Sequence, residues 1–151
     1  MKKSFLPAHA IDFTEHLLND TGDKVILCLS DCDKEHCVAV MNSVMCAVPE
    51  KTECAFIIPF DTISSDSVYA ILEQIPEHNF KGIIGFSGYL ADNDVHPTIL
   101  LFNTKSKQGN KFVEYMFDLW QNPDGSFWNY DAWCKQRKEA TDELKPILNN
   151  L

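Results

Sequence analysis

The chain has 151 residues, 45% of them hydrophobic and 11% aromatic, about one domain's worth of sequence with enough apolar surface for a sizeable single core. Acids outnumber Lys and Arg 22 to 13, a formal charge of −9, and Arg137 is the one arginine, so direct nucleic-acid binding is disfavoured: arginine is the side chain best suited to forked phosphate and guanine contacts. No apolar run approaches the roughly 18 residues of a membrane span, and Met1-Lys2-Lys3 leads into polar sequence rather than a signal-peptide core, so the expectation is a soluble cytoplasmic protein.

Six cysteines make an even count, but most sit in apolar runs rather than in loops. A disulfide-dense secreted domain staples its loops because its core is too small, and the core here is ample, so reduced thiols are expected.

In chain order, Ile11, Phe13, Leu17 and Leu18 give a short amphipathic helix over 11–19, closed by Gly22. Val25 to Leu29 is a short, uniformly apolar run, read as a strand covered on both faces. Cys37, Val38, Met41, Val44, Met45 and Val48 recur at spacings of three and four, a helix over 34–48 that Pro49 stops. Cys54 to Pro59 is a second buried-type strand, and a helix over 67–75 follows a Ser64-Ser65-Asp66 cap. Gly82 to Phe86 and Thr98 to Phe102 are two further strands. The link between them, 87–97, is too short for a crossover without a helix, so the pair reads as an antiparallel hairpin. Phe112 to Trp120 fits a helix through Phe112, Tyr115, Met116, Leu119 and Trp120, and equally a strand through Val113, Tyr115, Phe117 and Leu119. Asn122-Pro123-Asp124-Gly125 is a turn, and Asp131 caps a last helix running to about Leu144.

This order predicts an α/β fold: a three-layer, Rossmann-like mixed sheet of four or five strands, mostly parallel with one antiparallel strand. It reads as one domain, with a core over 25–105 and an aromatic-rich C-terminal extension over 106–151.

Four stretches carry a resemblance. Val25 to Cys32, Cys54 to Phe60, Ser67 to Pro76 with Phe80 to Phe86, and the run His96-Pro-Thr-Ile-Leu-Leu-Phe-Asn-Thr-Lys105 resemble, in order, the C-terminal half of an AdoMet-dependent methyltransferase domain. The match is to the adenine-N6 DNA methyltransferase subunits of type I restriction-modification systems, in which the first strand ends in the catalytic Asn-Pro-Pro-Tyr/Phe loop and the last strand is antiparallel. The resemblance implies that the Cys54 to Pro59 strand is central and the Thr98 to Phe102 strand antiparallel to its neighbours.

The departures bear on activity. Such enzymes hold AdoMet on a Gly-rich turn after their first strand. Here 24 residues precede Val25, too few for three more strands, and none reads Gly-x-Gly. The position of the catalytic loop holds Leu29-Ser30-Asp31-Cys32, with neither the proline nor the aromatic needed to grip a flipped base. The expectation is a degenerate or partial methyltransferase-like domain with no cofactor and no methyl transfer, acting by protein–protein interaction.

The densest polar cluster is Ser30 to Cys37. Asp31 and Asp33, after an apolar strand, match the Asp-x-Asp of metal-dependent phosphohydrolases, in which one carboxylate attacks phosphorus and both help hold Mg²⁺; these are the candidate catalytic residues. Ser87 fits a second-motif hydroxyl, but the acids Asp92 and Asp94 follow it with no lysine between it and them. The plainer reading is acids capping the helix that starts at Lys34 and complementing its dipole. Cys28, Cys32, His36 and Cys37 can be drawn as a zinc set, but they lack the two distant close pairs of a structural site, so core cysteines and a solvent-facing His36 are expected.

Eight of the seventeen aromatics lie within 112–133. Beside Lys105, Lys107, Lys111, Lys135, Arg137 and Lys138 they allow a single-strand stacking platform, but packing of the tail over the sheet is the plainer account. Trp120, Trp128 and Trp133 are candidate interface anchors. Val25, Leu27 and Leu29 are candidates too: if no further strand flanks theirs, it becomes a sheet edge that must be covered by the tail, by a second copy or by another chain. The acidic surface favours a basic partner, which leaves open an inhibitor of a nucleic-acid enzyme.

Overall fold

The computed structural model describes residues 7–18, 22–29, 33–58, 70, 73, 79–87, 98–103, 112–118 and 130–150. Their elements are α1 (Pro7–Leu17), β1 (Lys24–Cys28), α2 (Lys34–Ala47), β2 (Glu53–Ile58), β3 (Asn79–Ser87), β4 (Thr98–Asn103), β5 (Val113–Asp118) and α3 (Tyr130–Asn149). The helix expected over 67–75 lies outside the described residues, apart from positions 70 and 73.

The five strands form one mixed sheet in the order β1-β2-β4-β3-β5. β1 runs parallel to β2 and β3 parallel to β5, while β4 is antiparallel to both β2 and β3. The expected α/β class, the β3–β4 antiparallel pairing and the reversed last core strand are therefore observed. The expectation that the Cys54 to Pro59 strand is central is corrected, because β4 inserts between β2 and β3 and takes the middle. Sequence order alone says nothing of which strand a returning hairpin will pair with next.

Pleating divides the apolar residues between two faces. On one, Ala55, Ile57, Ile84, Phe86, Ile99, Leu101, Val113 and Phe117 meet α1 through Phe13 and Leu17, and α3 through Trp133, Ala140, Leu144 and Leu148. On the other, Cys54, Phe56, Ile58, Phe80, Ile83, Leu100 and Phe102 meet α2 through Cys37, Val38, Met41 and Met45. α1 begins ahead of the expected Ile11, with Pro7 in its first turn, where a missing N–H costs nothing. α3 runs past the expected Leu144 and through Pro146, because Leu144 and Leu148, one turn apart, both bury against the sheet. Arg137 on α3 pairs with Asp12 on α1, and Lys145 Nζ donates to the His16 carbonyl at 3.3 Å, so polar contacts as well as apolar ones hold the two helices together.

A bulge in β3 keeps the two faces in register. Phe80 pairs with Phe102 and Gly82 with Leu101, so Lys81 is the extra residue. In a regular strand Phe80 and Ile83, three residues apart, would fall on opposite faces; with the bulge, both join the α2-side core. Gly82 is required there, since a Cβ would lie 2.6 Å from Val113 Cγ2 and 3.3 Å from the Val113 carbonyl oxygen.

The segment over 112–120 that fitted both a helix and a strand is β5 across its described part. Val113 and Phe117 bury against the α3 side and Glu114 is exposed, a period of two, and β3 offers an unpaired edge to receive it. β5 and α3, both in the expected C-terminal extension, are thus part of the sheet and its core.

Candidate functional site

β1, β2, β3 and β5 all point the same way, and ligand sites of open α/β sheets lie at the carboxyl ends of such strands. At that end the structure describes Leu29, Asp33 and the close of β3. Ser30, Asp31 and Cys32 lie outside the described residues, as do Asp92, Asp94, Trp120 and Trp128. Asp33 is the N-cap of α2: its backbone is extended (φ −75°, ψ 172°) and its Oδ1 accepts the His36 N–H at 2.8 Å. That carboxylate satisfies one of the orphan donors of the helix, as the plainer sequence reading expects.

The zinc-like set is not assembled among the described residues. Cys37 is fully buried in the α2-side core, His36 is exposed, and Cys28 packs against the opposite, α1/α3-side core. No group of three or more His, Cys, Asp or Glu among the described residues is placed to hold a metal ion. Cys54 is buried in β2; burial, helped by the neighbouring Glu53 carboxylate, pushes its thiol up to about 11, the opposite of an activated nucleophile.

Trp133 is withdrawn as an interface anchor. It is fully buried, with ring centroids 5.1 Å from Phe117 and 6.4 Å from both Phe86 and Phe13. Phe86 and Phe117 stack at 5.2 Å with an interplanar angle of 8°. The described aromatics of the C-terminal segment therefore build core, where their large apolar area is most stabilising.

One polar cluster had no counterpart in the sequence reading. At the amino end of the sheet, Lys81 Nζ lies 3.6 Å from Glu53 Oε1, with side chains 9% and 16% exposed. Asn103, opposite Glu53 in the ladder, has a buried Oδ1 without a hydrogen-bond partner among the described residues. The adjoining cavity, walled by Leu101 and Leu148, measures about 10 Å³, room for about one water and no larger ligand. The sequence signal was a glycine inside a strand pattern, which marks a bulge.

The remaining candidates sit on β1. Among the described strands it pairs with β2 alone and ends the sheet. The expectation that it is covered on both faces is corrected: Val25, Ile26, Leu27 and Cys28 are all half-buried, whereas in β2 every residue from Cys54 to Ile58 is buried. Val25 and Leu27 lean on the α2 side and Ile26 and Cys28 on the α1/α3 side, while Leu29 is 7% exposed. The Leu29 N–H donates to the Ile57 carbonyl at 2.8 Å, and the Glu53 N–H to the Asp23 carbonyl at 3.0 Å. Backbone groups alternate sides along a strand, so the odd residues of β1 face β2, and the N–H and C=O of Lys24, Ile26 and Cys28 face outward.

No helix among the described residues is long and apolar enough to cross a membrane. No protein-family model matches the chain, and neither does any curated protein. Among solved structures, the chain is similar to a modification subunit assigned to a type I restriction enzyme from Vibrio vulnificus YJ016, at 12% identity and a TM-score of 0.48, over 78% of this chain and 30% of that one. The chain thus spans less than a third of the length of that neighbour.

Proposed function

We propose that the chain is a catalytically degenerate or partial methyltransferase-like domain that acts by binding protein through the outer edge of β1. The observation that carries this reading is the position of β1: among the described strands it ends the sheet, with apolar residues half-exposed on both faces and outward-facing backbone at its centre. The strand sequence supports the methyltransferase-like part. The four core strands occur in the directions that the resemblance implies, with the last antiparallel to both its neighbours.

On this reading the chain holds no AdoMet, because no Gly-x-Gly turn occurs in the 151 residues to let backbone approach a nucleotide. Calorimetric titration with AdoMet is expected to give no binding heat. Micromolar binding would overturn the degenerate assignment.

A further inference from the structure

Lys81, the extra residue of the β3 bulge, has a side chain only 9% exposed. Its ammonium carries three N–H donors, and a buried charge is costly unless acceptors meet them. Among the described residues its ionic partner is Glu53 Oε1 at 3.6 Å, beyond the roughly 3.2 Å at which an N–H···O bond ends. Both side chains line the cavity of about 10 Å³ at the amino end of the sheet. We infer that this cavity is a hydration site, in which one internal water accepts from Lys81 Nζ and donates to Glu53 Oε1 and so fastens β3 to β2 across β4.

Volume and charge select the occupant. A space of about 10 Å³ admits one water and no organic group. Lys81 repels a metal cation and Glu53 repels an inorganic anion, whereas water both donates and accepts and can serve the two charges at once. A polar contact wider than about 3.5 Å is the spacing that a bridging water closes. Asn103 adds a further acceptor. It stands opposite Glu53 on β4, on the same face as Leu101 two residues before it, and its buried Oδ1 has no donor among the described residues. The second hydrogen of the water has that oxygen in the same row of the sheet, which brings the water to the two to four polar partners that a buried one needs.

The site also lies where two helices finish. Leu17 is the last residue of α1 and Asn149 the last of α3, and with Leu18, Leu101 and Leu148 they complete the cavity wall. The final carbonyls of a helix have no partner within it and form the negative end of its dipole, so both helix ends favour a cation here. The bulge that brings Phe80 and Ile83 onto one face thus also delivers Lys81 to a place where its charge is matched by Glu53, by two helix ends and by the water. The inference is independent of the role of β1.

A crystal structure of the full chain, at a resolution that shows ordered water, tests the inference. The expected result is one peak at about 2.7–3.2 Å from both Lys81 Nζ and Glu53 Oε1. A direct hydrogen bond between these two atoms, or a cavity without a peak, overturns it. Magnetic relaxation dispersion of the water oxygen, which counts long-lived internal waters, gives the test in solution. Lys81→Met keeps an unbranched stem and removes the donor, so it should lose one long-lived water relative to the unmodified chain. Lys24→Met, at an exposed lysine of the neighbouring strand, should lose none. An unchanged count in folded Lys81→Met, or an equal loss in both variants, overturns the inference. Should Lys81→Met fail to fold, the crystal structure of the unmodified chain decides alone.

Discussion

The two edge strands of the sheet are finished differently. β5 is anchored from one side by aromatic rings: Phe117 packs on Phe13, Phe86 and Trp133, and Tyr115 lies 5.1 Å from Phe117. Burial, then the α3 carboxylates Glu143 and Glu139, raise the Tyr115 hydroxyl pKa. Each edge strand carries a charge of the kind that discourages pairing with another chain, Glu114 on β5 and Lys24 on β1. β1 has aliphatic residues and a cysteine, all half-buried, and a single lysine at its start. Among the described residues, one edge strand is thus pinned by aromatic rings and the other lies half-exposed on both faces.

The largest expected effect is on the aromatic anchor. Trp133→Ala should cost about 3–5 kcal/mol in chemical denaturation, as for a fully buried large aromatic. A loss under about 1 kcal/mol would mean that the rings are not what fixes α3 and β5. The same contrast can be read in paired isoleucines. Ile84→Ala, at a fully buried site beside β5, should cost about 3 kcal/mol, and Ile26→Ala on half-buried β1 about 1 kcal/mol in the monomer. Equal losses would erase the difference between the edges. Gly82→Ala, which drives a Cβ into Val113 where β3 meets β5, should cost about 2 kcal/mol by overpacking, with no effect on the outer edge of β1.

Thiol chemistry supplies the smallest and most local contrast. Interior Cys54, pushed up to about 11, should resist alkylation at mildly alkaline pH, while exposed Cys46 reacts first and half-buried Cys28 at the edge reacts ahead of Cys54. The sign for stability follows from linkage. An unfolded thiol loses its proton near its ordinary pKa of about 8.5, while folded Cys54 keeps its own. Its contribution is thus complete below that value and is lost as pH rises toward about 11. Rising stability across that window in denaturant titrations would contradict the assignment.

Apolar periodicity was a good guide to the elements and a poor one to their neighbours. Continuous runs such as Cys54 to Ile58 read as strands because burial on both faces leaves no polar alternation, and the spacing of Cys37, Met41 and Met45 marks the inward stripe of α2. Val25 to Cys28 reads the same way, yet is half-exposed, because a local run carries no information about how many strands lie beyond it. The helix–strand ambiguity at β5 had the same origin: Tyr115 serves either period, and the open edge of β3 decides between them. Of the candidate site, Asp33 was legible as a helix cap, since the cap is made within three residues. The Lys81–Glu53 pair was not, because it joins residues on β3 and β2 that the insertion of β4 keeps two strands apart.

Residue-resolved amide exchange along β1, in a sample dilute enough to be monomeric, tests the open edge most directly. If the account holds, Leu27, whose N–H faces β2, is protected, while Ile26 beside it exchanges orders of magnitude faster. Equal protection of the two amides in the monomer would show that β1 is not the open edge of this sheet.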